Sequence, residues 1–142
     1  MGRTSTAKRR LMESGKNLIG SRGYTSVGVA ELCEDAGVKK GSFYYFFPSK
    51  SELAAAVVDS FWQDFEVGLT KVLDSQARPL DRIEAFLDGI SSRHRDTCES
   101  TGKMRGCLLG NLTLEIAATD DNVRNRLAEA FVRFGQQLAE TI

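Results

Sequence analysis

Between Lys39 and Lys50 the chain reads KKGSFYYFFPSK, which gathers three lysines, a glycine and several hydroxyl side chains into twelve positions. A lysine at the start of a helix can donate to a phosphate or to guanine O6 and N7. Gly41 has no side chain, so a nucleic-acid backbone can approach the chain closely there. Ser42, Tyr44 and Tyr45 offer further hydroxyl donors, while Phe43 and Phe47 stand four apart and read as one buried face. This is chemistry for gripping a polyanion. No nucleophile–base pair or paired carboxylates accompany it, so an enzyme is not expected.

Positioning these groups calls for two short helices. Val29, Leu32, Cys33 and Ala36 recur at helical spacing, and Gly37 follows at once as a stop signal. The next helix is KKGSFYYFF, bounded by Pro48 because the residue before a proline is driven out of the helical region. Two helices joined by a glycine turn form a helix-turn-helix unit, whose second member enters the major groove of DNA. Gly28 and Val29, at the start of the first helix, are expected to add backbone N–H contacts to phosphate. Arg3, Lys8, Arg9 and Arg10 form a second basic group suited to phosphate contacts without sequence information.

The charge distribution supports this reading only once it is divided. The 142 residues carry 19 basic and 19 acidic side chains, yet residues 1–50 have a net charge of +5 and residues 51–142 of −5. Such asymmetry points to a nucleic-acid surface on one half. Cys33, Cys98 and Cys107 include no CxxC pair, and with one histidine neither a disulfide framework nor a metal site is expected. No apolar run nears the about 18 residues of a membrane span. The N-terminus has no apolar signal core, and Met1-Gly2-Arg3-Thr4-Ser5-Thr6 matches the loose myristoylation pattern, which reads as chance in a polar arm. A cytoplasmic protein without membrane association is expected.

Helical periodicity runs through most of the chain: Ser5 to Ser21, Lys50 to Ser75, a segment opened by Pro79 and closed at Gly102, Gly106 to Ala118, and a last one opened by Asp120 and Asp121. The expected fold is all-α. Asn111 and Glu115 stand four apart amid apolar residues and so share a helical face, where burial without partners is costly. Mutual bonding, water or a ligand is the expected answer. His94, between Arg93 and Arg95, is expected at the surface. Cys107, near a helix start and near Lys103 and Arg105, is a candidate redox- or electrophile-reactive thiol, and Cys33 is expected to be structural.

The residues Gly23-Tyr24, Val29-Ala30-Glu31-Leu32, Ala36-Gly37-Val38, Lys40-Gly41-Ser42-Phe43-Tyr44-Tyr45-Phe46-Phe47 and Pro48-Ser49-Lys50 together resemble the TetR/AcrR bacterial transcriptional repressors. The family's usual form of the last block is K-G-T-L-Y-Y-H-F-P-S-K, and the likeness covers residues 5–60. The resemblance implies phosphate contacts from Ser42 and Tyr44 and a phosphate clamp at Lys50. Phe46 stands where the family commonly has histidine and Lys39 where it has a serine cap, so the base-reading rules of relatives do not carry over. Gly106–Leu112, GCLLGNL, looks like a branch that includes electrophile-responsive repressors.

The implied organisation is a helix-turn-helix head over residues 1–50 and a helical ligand-binding and dimerisation body over 51–142. Phe61, Trp62, Phe65, Phe86, Ile90, Leu108, Leu112, Ile116, Phe131 and Phe134 are the candidates to line its apolar pocket, with Cys107, Asn111 and Glu115 as polar members. The resemblance implies two further final helices that have no counterpart here, so the chain is expected to be either truncated or an unusual short form, with a homodimer as the working state of the parent protein. The expected function is a repressor released from operator DNA by a small-molecule inducer, with no cofactor. The alternatives are thiol sensing through Cys107 and, in another class, a helical module that binds a partner or ligand but no DNA.

Overall fold

The computed structural model describes residues 2–142, with side chains described from Thr6 onward. Among the described residues the chain forms seven helices and no strand: α1 (Gly2–Arg22), α2 (Val29–Ala36), α3 (Lys40–Phe46), α4 (Lys50–Leu73), α5 (Pro79–Thr101), α6 (Leu108–Ile116) and α7 (Asp121–Thr141). The all-α expectation is met.

The head is built from α1, α2 and α3. Helix α2 buries Leu32, Cys33 and Ala36 and ends where Gly37 takes φ 62°. There the Val38 N–H reaches the Cys33 carbonyl at 2.9 Å and the Gly37 N–H reaches Glu34 at 3.1 Å, satisfying two carbonyls the helix leaves open. A side chain at position 37 would be strained in that left-handed conformation. Helix α3 lies down on the core through Phe43 and Phe47, both buried, with the Tyr44 ring meeting Phe43 edge-on at 5.2 Å. The chain then turns through Pro48, and the Ser49 hydroxyl accepts from the Glu52 N–H at 3.1 Å to start α4.

Helix α4 joins the two parts. Its first half buries Leu53, Ala54, Ala55, Val57 and Val58, with Leu53 and Val57 beside Gly15 of α1, and its second half carries Trp62, Leu69 and Leu73 into the body. The buried side chains of head and body form one continuous cluster through it. Helix α4 packs most extensively on α7, and the pairing is pinned at the start of α7. Asp120 caps α7 by accepting from the Val123 N–H at 3.0 Å, and the Ser51 hydroxyl donates to the same carboxylate oxygen at 3.0 Å. Further along, Arg133 and Gln137 of α7 donate to Glu66 of α4 at 2.7 and 3.1 Å.

Two starts differ from the sequence expectation. Helix α1 begins before Ser5, and α6 begins at Leu108 rather than Gly106, because Gly106 has φ 71° and Cys107 is extended. Asp120 joins a cap to an interhelical bond, so Asp120→Ala should cost about 1–2 kcal/mol, read as a lower urea midpoint at unchanged slope. Asp120→Asn, which keeps an acceptor, should lose less.

Candidate nucleic-acid surface and body cavity

Helix α3 sorts its residues by face. Lys39, Lys40, Gly41, Tyr44 and Tyr45 are exposed, Ser42 is half-buried, and Phe43 and Phe47 face inward. Lys39 is the N-cap residue and makes no side-chain cap bond. Among the described residues neither its ammonium nor that of Lys40 has a hydrogen-bond or ion-pair partner. Space is open beside Gly41 and Gly28, and Gly28 caps α2 without a side chain. A shallow groove between α1 and α3 is lined by Arg10 together with Lys39, Gly41, Ser42 and Tyr45. Lys8 is exposed, its Nζ 5.9 Å from the Phe47 ring centre, while Arg9 pairs loosely with Glu13 at 3.9 Å. The Arg3 side chain and Met1 of the myristoylation pattern lie outside the described residues.

Lys50 has partners within the protein. Its Nζ donates to the Tyr24 carbonyl at 3.1 Å and the Val27 carbonyl at 3.0 Å, and it lies 4.0 Å from the centre of the Tyr24 ring. The ammonium faces the bend between α1 and α2. The bend carries carbonyls with no helical partner, and a cation at the start of α4 is within reach of them.

Glu115 serves the same bend from the other side. Its carboxylate accepts from the Tyr24 N–H at 2.8 Å and the Thr25 N–H at 2.7 Å. A side chain on Gly23, which has φ 85°, would come within 2.8 Å of that carboxylate, so the bend needs glycine for both its conformation and this approach. Partial burial pushes the Glu115 carboxyl up. The bonds from Thr25 and Tyr24 and the charge of Lys50 outweigh that and hold it below the ordinary glutamate value. Asn111 instead donates to the Arg105 carbonyl at 2.9 Å and closes the turn ahead of α6. Both residues are exposed, and neither lines the aromatic cavity expected of them: their partners are backbone groups of loops.

That cavity, of about 440 Å³, opens among α1, α4, α5, α7 and the turn before α6. Phe61, Trp62 and Phe65 form one wall, Ile90 and Phe131 with Phe134 another, and Cys107, Leu108 and Leu109 the third. Phe86 is not on the surface of the cavity. It sits behind, with its ring 6.0 Å from Phe65 and 5.7 Å from Phe134, and fixes the ring cluster in place. Leu112 and Ile116 are likewise buried in the core and not on the lining. The expectation missed Lys16, Arg93, His94, Thr97 and Arg105, all of which line the cavity. His94 is half-buried there, because α5 turns it inward beside Ile90, one helical turn away. Cys107 is exposed, Cys98 half-buried and Cys33 buried, all three with free thiols.

Comparison with known proteins places this arrangement. The family model described as bacterial regulatory proteins, tetR family, matches residues 11–57. The solved structure of regulatory protein TetR from Rhodobacter sphaeroides is similar with a TM-score of 0.80 at 31% identity, over 95% of this chain and 70% of that one. The chain belongs to the TetR family. The transcriptional regulator AcuR of Cereibacter sphaeroides is 35% identical over 128 residues, 87% of this chain and 55% of AcuR. The reduced form of Escherichia coli NemR matches with a TM-score of 0.79 at 27% identity, over 95% of this chain and 68% of that one. The chain spans between about half and two thirds of the length of the curated relatives it matches. Among the described residues no helix is long and apolar enough to cross a membrane.

The Glu115 clamp has a definite pH dependence. With the folded value below the unfolded one of about 4.3, its contribution is present above that pH and is lost as pH falls through the folded value. The amide proton resonances of Tyr24 and Thr25 should shift together over that acid range, and should not do so in Glu115→Gln. Amides that stay still in the unaltered protein would exclude the clamp in solution.

Proposed function

We propose that this chain is the operator-binding and ligand-responsive part of a transcriptional repressor that acts as a homodimer in the cytoplasm. One observation carries the reading. Helix α6 contributes Leu108 and Leu109 to the cavity at its start and Glu115 to the α1–α2 bend near its end. Ligand and head therefore share one short lever.

The head binds DNA through α3, with Lys39, Lys40, Ser42, Tyr44 and Tyr45 facing the groove and the phosphates beside it. Arg10, Lys8, Arg3 and the N–H groups at Gly28 add phosphate contacts. Lys50 acts as a positioning residue, since its ammonium holds the bend that sets α2 and α3 against α1. A molecule in the cavity displaces Leu108 and Leu109, and with them α6 and its carboxylate. The head spacing that fits two half-sites about 34–36 Å apart is then less populated. The names of relatives support this reading: DhaR of Mycobacterium and NemR of Escherichia coli are both called HTH-type transcriptional repressors.

A second reading is favoured by Cys107, an exposed free cysteine just ahead of α6 that lines the cavity. Cys107 occupies the N-cap position of α6 without a side-chain cap bond, so an adduct on its thiol would press on the same lever as a bound ligand. Treatment with N-ethylmaleimide should release operator DNA from the unaltered protein and not from Cys107→Ser. Equal release from both would sink this route.

The repressor reading is tested by titrating the full-length protein onto a palindromic duplex over a range of salt. Affinity should fall steeply with salt, and Lys39→Ala or Lys40→Ala should each flatten the log–log slope by about one unit. No binding even at low salt would favour a helical partner- or ligand-binding module instead.

A further inference from the structure

The cavity that the repressor reading makes the ligand site has an unusual charge for its surroundings. Residues 51–142 are net acidic, with fifteen Asp and Glu against ten Lys and Arg. Yet no acidic residue lines the cavity, while Arg93 and His94 of α5, Arg105 of the following turn and Lys16 of α1 all do. Lys16 is paired with Asp64 at 3.1 Å. The side chains of Arg93, His94 and Arg105 have no acidic partner among the described residues. Cations at the rim of an apolar cleft raise the local concentration of anions and draw them in.

A second observation lies inside the cleft, where Phe61, Trp62, Phe65, Phe131 and Phe134 form aromatic walls. The lining therefore combines two guanidinium groups without an acidic partner and a set of aromatic side chains. An acceptor-rich anion on an apolar body answers both. A carboxylate has two oxygens and about four lone-pair sites, and it matches the planar fork of an arginine.

We infer that the cavity takes a small carboxylic acid with an aromatic or branched hydrocarbon body. The body packs on Phe61, Phe65 and Phe134, and the carboxylate faces Arg93 and Arg105. This rests on the cavity being the ligand site.

Trp62 is the chain's single tryptophan, so its fluorescence reports the cavity directly. Full-length protein is titrated with phenylacetate and with 4-methylpentanoate, each beside its uncharged amide. Losing a charge-assisted bond at each arginine should leave the amides about tenfold weaker or more. The double variant Arg93→Gln, Arg105→Gln should lower acid affinity to that of the amides, with its fold checked by circular dichroism. Amides that bind as tightly as the acids, or a double variant that keeps the acids' advantage, would overturn the anion assignment and leave the cavity as the ligand site. A Trp62 signal unmoved by every acid and amide would overturn both.

Discussion

The bend between α1 and α2 depends on side chains that come from far along the chain. Its backbone makes a single bond of its own, from Val27 to Tyr24 at 3.3 Å. Lys50 supplies donors to the carbonyls of Tyr24 and Val27, and Glu115 supplies acceptors to the amides of Tyr24 and Thr25. Loop backbone that lacks partners is expensive to remove from water. Here that demand is met by opposite charges from α4 and α6, on either side of the same residue. The direction in which α2 leaves α1, and so the placing of α3, follows from this pair. Each charge alone would leave half of the bend unserved.

The body is organised around a compromise. Phe65, Phe86 and Phe134 bring α4, α5 and α7 together through ring contacts near 6 Å, and such clusters supply much of the apolar burial of a domain this size. Beside them the packing stops, and Trp62 keeps a buried donor without a partner. A core optimised for stability would close this space. The cleft is kept open on one side by rings that cannot collapse and on the other by the turn that Asn111 closes through the Arg105 carbonyl.

What the sequence made legible is local. Gly37, Pro48, Pro79 and Gly102 mark boundaries because each acts on its own backbone, and the structure ends or starts helices at those points. The 3.6-residue spacing of Phe43 and Phe47 announces a buried face in the same way. The partners of Lys50 and Glu115 were not legible, for the opposite reason. Their partners lie 23 to 26 and about 90 residues away, and nothing in the composition of either neighbourhood names them. His94 was lost between two arginines, a local context that suggests solvent, although its helix turns it toward the rings. Gly106 shows how small the margin is. One residue with positive φ moves the start of α6 by two positions and places Cys107 at its cap.

Helix α3 divides its duties by face, and that division has an evolutionary side. Phe43 and Phe47 hold the helix to the core, while Lys39, Lys40, Gly41 and Tyr45 point away from it and make no contact that the fold requires. Substitutions on the outer face can accumulate without passing through an unfolded intermediate, whereas the inner face admits few. A duplicated gene can therefore change this outer face while inheriting its scaffold and its cavity intact.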